Sequence, residues 1–195
     1  MSYLIPVAEL RIEEVRSIEE VARYTVLTEL AKKLGVMTAA DIEALKAREG
    51  IAGVISELEK SLVVREVLPK TDLGLANEEW KISYTAAYTW EEKVRKTLKD
   101  STCLSFFGAT NLSATPKTLY VKFGLPGKDI GVWNFEKLYA YVENVTGYTL
   151  APLVILGGKT LVLQFYGNAS GDDLPVLRGF IAEPIGETVT PSAGK

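Results

Sequence analysis

Apolar residues recur at three- and four-residue steps through the first part of the chain: Ile12, Val15, Ile18, Val21 with Ala22, Val26, Leu30 and Leu34, with charged residues between them. This spacing predicts one long amphipathic helix over 8–34. Gly35 is placed to close it as a left-handed cap, and Lys32 and Lys33 suit the negative end of its dipole. Thr38 and Asp41 stand three residues apart, close to a capping box although Asp replaces the usual Glu or Gln. A second helix is therefore expected from there to just before Gly50. Ile51, Val54, Ile55 and Leu58 fit one face of a short third helix.

From residue 62 the period changes. Residues 62–69 read as extended chain, ended by Pro69 and a polar turn through Thr71, Asp72 and Gly74. Trp80, Ile82, Tyr84, Ala86, Tyr88 and Trp90 alternate with Lys81, Ser83, Thr85, Ala87 and Thr89, which predicts a strand or hairpin with one aromatic face buried. Residues 91–99 fit either a continued strand or a helix. Short apolar segments then follow at 103–107, 118–123, 137–145, 152–156, 160–166 and 176–182, separated by Gly, Pro, Asn and Asp clusters at 124–127 and 167–173. The even spacing predicts an α+β chain: N-terminal helices followed by an antiparallel β-sandwich of the jelly-roll kind.

The halves also differ in composition. Residues 1–100 carry 15 Lys and Arg, 18 Asp and Glu and only four Gly; residues 101–195 carry seven charges of each sign, 12 Gly and 12 of the 18 aromatics. High charge with few glycines suits solvated helices, and aromatics punctuated by glycine suit short strands. The expected organisation is a helical assembly region at 1–61, an extended connecting region at 62–100, a β-sandwich at 101–187 and a flexible tail at 188–195. A net charge of −3 gives no nucleic-acid signature, and no apolar run approaches the roughly 20 residues of a membrane-spanning helix. Glu9, Arg11, Glu13 and Glu14 occupy the place where a signal peptide needs an apolar core.

The absent residue types narrow the chemistry. There is no His, and Cys103 is the one cysteine, so neither a Ser-His-Asp nor a Cys-His arrangement nor an internal disulfide can form within the chain. One Gln, five Asn and two Met beside abundant Glu and Lys fit a heat-adapted source. No catalytic, cofactor-binding or metal site is assigned, and no cofactor is expected. Gly157-Gly158-Lys159-Thr160 ends like a phosphate-binding loop, but Leu153 stands where its first glycine belongs and apolar runs flank it, so a hairpin turn is expected. The 168–173 loop lacks the alternating acids of a calcium loop and reads as a solvated turn. Glu13, Glu14, Glu19 and Glu20 lack the His that a di-iron bundle needs and read as a solvated helix face. Three Asn-x-Ser/Thr sequons begin at Asn111, Asn144 and Asn168, all in the β half.

The cadence of 131–145, 152–166 and 177–184 resembles that of jelly-roll virion coat and decoration proteins, without a diagnostic motif. The resemblance implies a structural protein that self-assembles with copies of itself or other structural subunits, as a viral coat, decoration or surface-appendage subunit, in a virion or other assembled particle. A fold alone does not fix that function. A second reading is a glycan- or ligand-binding sandwich that uses Trp133, Tyr139, Tyr141 and Tyr148 as stacking platforms. A third is a carboxylate hydrolase drawing on Asp129, Glu136, Glu143, Asp172, Asp173 and Glu183, which needs two acids about 5–9 Å apart in one cleft.

Overall fold

A computed structural model describes residues 4–141 and 145–187. A two-residue strand, β1 (Ile5–Pro6), and a single 3-10 turn at Val7–Glu9 lead into α1 (Ile12–Leu34). The helix starts later than its apolar period suggests. Leu10 is extended (φ −107°, ψ 147°), and it packs with Val7 and Val15 against Ile18, Ala22 and Phe107, so burial rather than propensity sets its backbone. The Arg11 N–H donates to the Glu14 carboxylate at 2.7 Å, and Gly35 closes the far end at φ 69°. In α2 (Ala39–Leu58) the Thr38 hydroxyl accepts from the Asp41 N–H at 3.2 Å, as the capping pair predicts. Gly50, at φ 73° and ψ −175°, breaks this helix into the two segments expected on either side of it.

The chain then runs through β2 (Leu62–Glu66), α3 (Pro69–Leu73), β3 (Ile82–Tyr84) and β4 (Trp90–Thr97). Where a turn was expected after Pro69, one helical turn forms, with proline at its start and Gly74 as its left-handed cap. The alternating row at 80–90 is not one strand. β3 ends at Tyr84, the chain turns with Tyr88 at φ 55°, and β4 resumes at Trp90 and carries residues 91–97 as strand. The remaining elements are β5 (Cys103–Asn111), β6 (Thr118–Leu125), β7 (Lys128–Asn134), β8 (Thr146–Leu156), β9 (Thr160–Gly167), β10 (Gly171–Asp173) and β11 (Pro175–Pro184). The apolar stretch expected at 137–145 forms a 3-10 turn at Leu138–Ala140, where Leu138 is fully buried; residues 142–144 lie outside the described residues. The strand falls earlier, at β7, whose polar start hides its period.

Sheet order is β1-β8-β5-β11-β2 in one layer and β4-β9-β6-β7 in the other, with β10 and β3 paired separately. All recorded pairings are antiparallel. Among β2, β4, β5, β6, β7, β8, β9 and β11, only the β6–β7 connection stays within a sheet; each other step crosses to the opposite one. That is the jelly-roll arrangement. Leu104, Phe106, Ile155, Leu177 and Ile181 of the first sheet meet Val121, Phe123, Trp133, Leu163 and Phe165 of the second in the shared core.

The outer face of the first sheet is covered by α1, which packs on β8, β5 and β11 and is backed by α2. Val26, Leu27 and Leu30 are fully buried there with Cys103 and Ala182. Burial pushes the Cys103 thiol up to about 12, leaving it a packing residue rather than a nucleophile. The outer face of the second sheet has no helix over it among the described residues.

Candidate functional site

The register of the second sheet lays its outward side chains in rungs. Trp90 pairs with Tyr166, Tyr166 with Tyr120, and Tyr120 with Asn134. Two residues along, Glu92 pairs with Gln164 and Gln164 with Lys122. After bulges in β4 and at Phe123/Gly124, Arg95 pairs with Val162, Val162 with Gly124, and Gly124 with Asp129. The residues between them, Val121, Phe123, Leu163 and Phe165, point into the core. Period two thus places an aromatic rung beside a polar rung and a third that dips at Gly124.

The aromatic rung is a contiguous patch. Trp90 and Tyr166 ring centroids are 5.3 Å apart, and Tyr120 and Tyr166 are 5.8 Å apart. Tyr88, 66% exposed, extends the patch at 6.4 Å from Tyr166. The ring planes are mutually tilted by 44–62°. Lys122 Nζ lies 4.6 Å from the Trp90 centroid, within cation–π range, and the Tyr120 hydroxyl donates to Glu136 at 2.6 Å. The turn that carries Tyr88 is held by Glu91, whose carboxylate accepts from the Thr85 N–H, the Thr85 hydroxyl and the Ala86 N–H and pairs with Lys93. Burial pushes the Glu91 carboxyl up, but these donors outweigh it and hold it down at about 2.

Beside the aromatic rung lies a cavity of about 270 Å³, floored by Gly124 and Val162 and walled by Glu92, Arg95, Lys122, Gln164 and Asp129. Four of its five charged lining residues are paired, Arg95 with Glu92 at 2.6 Å and Lys122 with Asp129 at 3.3 Å, and the fifth, Lys128, is exposed to solvent. The hydrogen bond from Arg95 holds the Glu92 carboxyl below the usual carboxylate range, against an opposing effect of burial. A general acid needs the reverse shift.

The four aromatics expected as stacking platforms do not form one. Trp133 is fully buried in the core, and Tyr148 lies buried under α1, stacked on Phe107. Tyr139 is half-buried and donates to the Thr118 carbonyl, and Tyr141 donates to Glu9. The 80–90 row divides instead: Trp80, Ile82 and Tyr84 are buried, whereas Tyr88 and Trp90 are exposed. The signal for the exposed aromatic patch is the alternation of Tyr120, Lys122 and of Gln164, Tyr166 around core residues, which marks one outward face once the strands are paired.

The five candidate acids among the described residues each have their own partners. Asp129 pairs with Lys122, Glu136 with Tyr120, and Asp172 with Lys81 at 2.7 Å and Ser83 at 2.6 Å. Glu183 accepts from Arg65, which also clamps Asp72 through two bonds of 2.7 and 2.8 Å. Asp173 is buried, and its Oδ2 accepts from Asn111 Nδ2, the Lys117 N–H, and both the N–H and hydroxyl of Thr118. Burial raises its carboxyl, but hydrogen bonds from Ser113, Thr118 and Asn111 bring it below its ordinary value. Glu143 lies outside the described residues. Among the described residues no group of three or more acids or thiols could hold a metal ion.

The sequons also separate. Asn111 is buried against Asp173 and Tyr139, Asn168 is exposed on the turn after β9, and Asn144 lies outside the described residues. The 168–173 segment is a turn followed by β10. Gly157 and Gly158 do form a turn, but it joins β8 to β9 across the two sheets rather than closing a hairpin. The Gly157 N–H donates to the Thr102 carbonyl at 2.8 Å, and a Cβ there would stand 2.1 Å from the Lys99 carbonyl oxygen, so only glycine fits this joint. Strand follows it, not the helix a phosphate loop requires.

A second open feature lies where α1 meets β8. Leu10, Ile18, Val21 and Leu150 line a groove of about 220 Å³, edged by Glu14 and Ser17. Leu150 is 68% exposed, and Ile12 on the first turn of α1 is 70% exposed.

No protein-family model and no curated protein matches the chain. Solved structures overlap it in part. The C-terminal CBM6 of LamC, a marine laminarinase from Zobellia galactanivorans, aligns with 62% of this chain and 99% of its own at 9% identity and a TM-score of 0.31. A chain of infectious bursal disease virus, Gx strain, aligns with 67% of this chain and 34% of its own at 12% identity and a TM-score of 0.31. Dimeric latent PorU from Porphyromonas gingivalis aligns with 63% of this chain and 12% of its own at 16% identity and a TM-score of 0.29.

Proposed function

We propose that the chain is a structural subunit that assembles with copies of itself, of the coat, decoration or surface-appendage kind. The observation that carries this reading is the apolar groove between α1 and β8. Leu150 is a large aliphatic side chain left in water on the wall of that groove, and exposed apolar surface with a polar edge is characteristic of protein interfaces. The jelly-roll box behind the groove is rigid: both sheets share one core, and α1 is fixed to the first. A subunit of this kind needs shape and complementary surfaces rather than a reacting centre. Burying Leu150 in a neighbour stabilises the contact by about 1–2 kcal/mol per copy.

Negative-stain microscopy of the purified chain at micromolar concentration should show defined particles, rings or filaments. Leu150→Glu should disperse them without lowering the melting temperature, because the side chain lies outside the core. Assemblies that survive Leu150→Glu unchanged would assign the contact elsewhere and remove the support for this reading.

A further inference from the structure

We propose that the outer face of the second sheet is a carbohydrate site, on which the Trp90–Tyr166–Tyr120 rung stacks a neutral pyranose chain while Glu92, Gln164 and Lys122 hydrogen-bond its hydroxyls. This surface is separate from the groove beside α1, so the site stands or falls independently of assembly there.

The chemistry of the face selects this ligand. A pyranose presents C–H groups on its ring faces and hydroxyls around its rim, so it needs an aromatic plane next to groups that both donate and accept. The two adjacent rungs supply that combination: rings with centroids 5.3 and 5.8 Å apart, then a carboxylate, an amide and an ammonium. The cavity beyond them, about 270 Å³, is close to the lower end of the usual ligand range of about 300–1,000 Å³, and its glycine floor lets one sugar unit settle into the dip.

The electrostatics argue for a neutral chain. Arg95 is tied to Glu92 and Lys122 to Asp129, which leaves Lys128 as the single lining cation outside an ion pair, short of the row of free cations that a phosphate backbone requires. The rings are also held before any ligand arrives. Lys122 lies over Trp90, Glu136 fixes the Tyr120 hydroxyl, and Glu91 anchors the turn behind Tyr88. Side chains already fixed lose little freedom on binding.

Trp90 is a built-in reporter, because Trp80 and Trp133 are buried. Titration with hexasaccharides of β-1,4-glucan, β-1,3-glucan, α-1,4-glucan and β-1,4-mannan should shift Trp90 emission to the blue and protect it from acrylamide. At least one of them should saturate with a Kd of about 1 mM or tighter. Calorimetry, which does not depend on the reporter, should show at least tenfold weaker binding for Trp90→Ala and for Gln164→Ala, and unchanged binding for Leu150→Glu. The proposal is overturned if no hexasaccharide gives a saturable change, or if binding survives both rung substitutions. It is equally overturned if Trp90→Ala alters particle mass while leaving sugar binding intact, since the face would then be a subunit contact.

Discussion

The two sheets share one core but treat their outer faces in opposite ways. In the first, β5 is buried along residues 103–109, with Leu104 and Phe106 facing the opposite sheet and Cys103 and Phe107 facing α1. In the second, β6 and β9 alternate, with Val121, Phe123, Leu163 and Phe165 inside and Tyr120, Lys122, Gln164 and Tyr166 outside. A strand covered on both sides reads as a continuous apolar run, and one covered on a single side reads as period two. The difference lies in cover: helices close the outer face of the first sheet, and the outer face of the second stays open, which is the face proposed above to bind carbohydrate.

Substituting across that divide should give unequal effects. Leu30→Asp places an unpaired charge in the layer between α1 and the first sheet and should cost about 4 kcal/mol or more, enough to abolish the cooperative thermal transition. Gln164→Ala on the open face should stay within about 0.5 kcal/mol in the same melts. A comparable loss at both positions would erase the distinction between the sheets.

Asp173 binds the two sheets together, since its Oδ2 accepts from Asn111 on β5 and from Thr118 on β6. Asp173→Ala strands these buried donors and should cost about 3 kcal/mol, measured by chemical denaturation. A loss below about 1 kcal/mol would show that the sheets are held by packing alone.

The smallest effect concerns pH. Glu91 has its carboxyl lowered to about 2 in the folded protein, so its contribution is fully present above its ordinary value near 4.5 and is lost as pH falls toward about 2. The depressed Asp173 carboxyl has the same sign. Stability should therefore decline between about pH 4.5 and 2, and the turn holding Tyr88 should loosen in that window, as Tyr88 ring signals in NMR would report. In Glu91→Gln the change in the Tyr88 signals should disappear, leaving the Asp173 contribution to the stability decline.

Much of the fold was legible because its signals are local. Gly35, the Thr38–Asp41 cap and the break at Gly50 are decided within a few residues, and the strands at 103–107, 118–123, 160–166 and 176–182 announce themselves by composition. The failures are tertiary. The 80–90 row keeps its alternation through a turn because Thr85 and Ala86 are held by the carboxylate of Glu91 rather than by a ladder. Leu138 and Tyr139 carry strand-like chemistry but plug one end of the sandwich as a 3-10 turn. The candidate site was hidden for a related reason. Trp90, Tyr120 and Tyr166 are far apart in sequence, and only the β4-β9-β6 register sets them side by side, whereas the more conspicuous Trp133 and Tyr148 were claimed by the interior.

Multi-angle light scattering across concentration, salt and temperature tests the structural reading most directly. A subunit that builds particles should scatter with a mass that is a fixed multiple of 21.4 kDa at micromolar concentration. A mass of 21.4 kDa under every condition would contradict it.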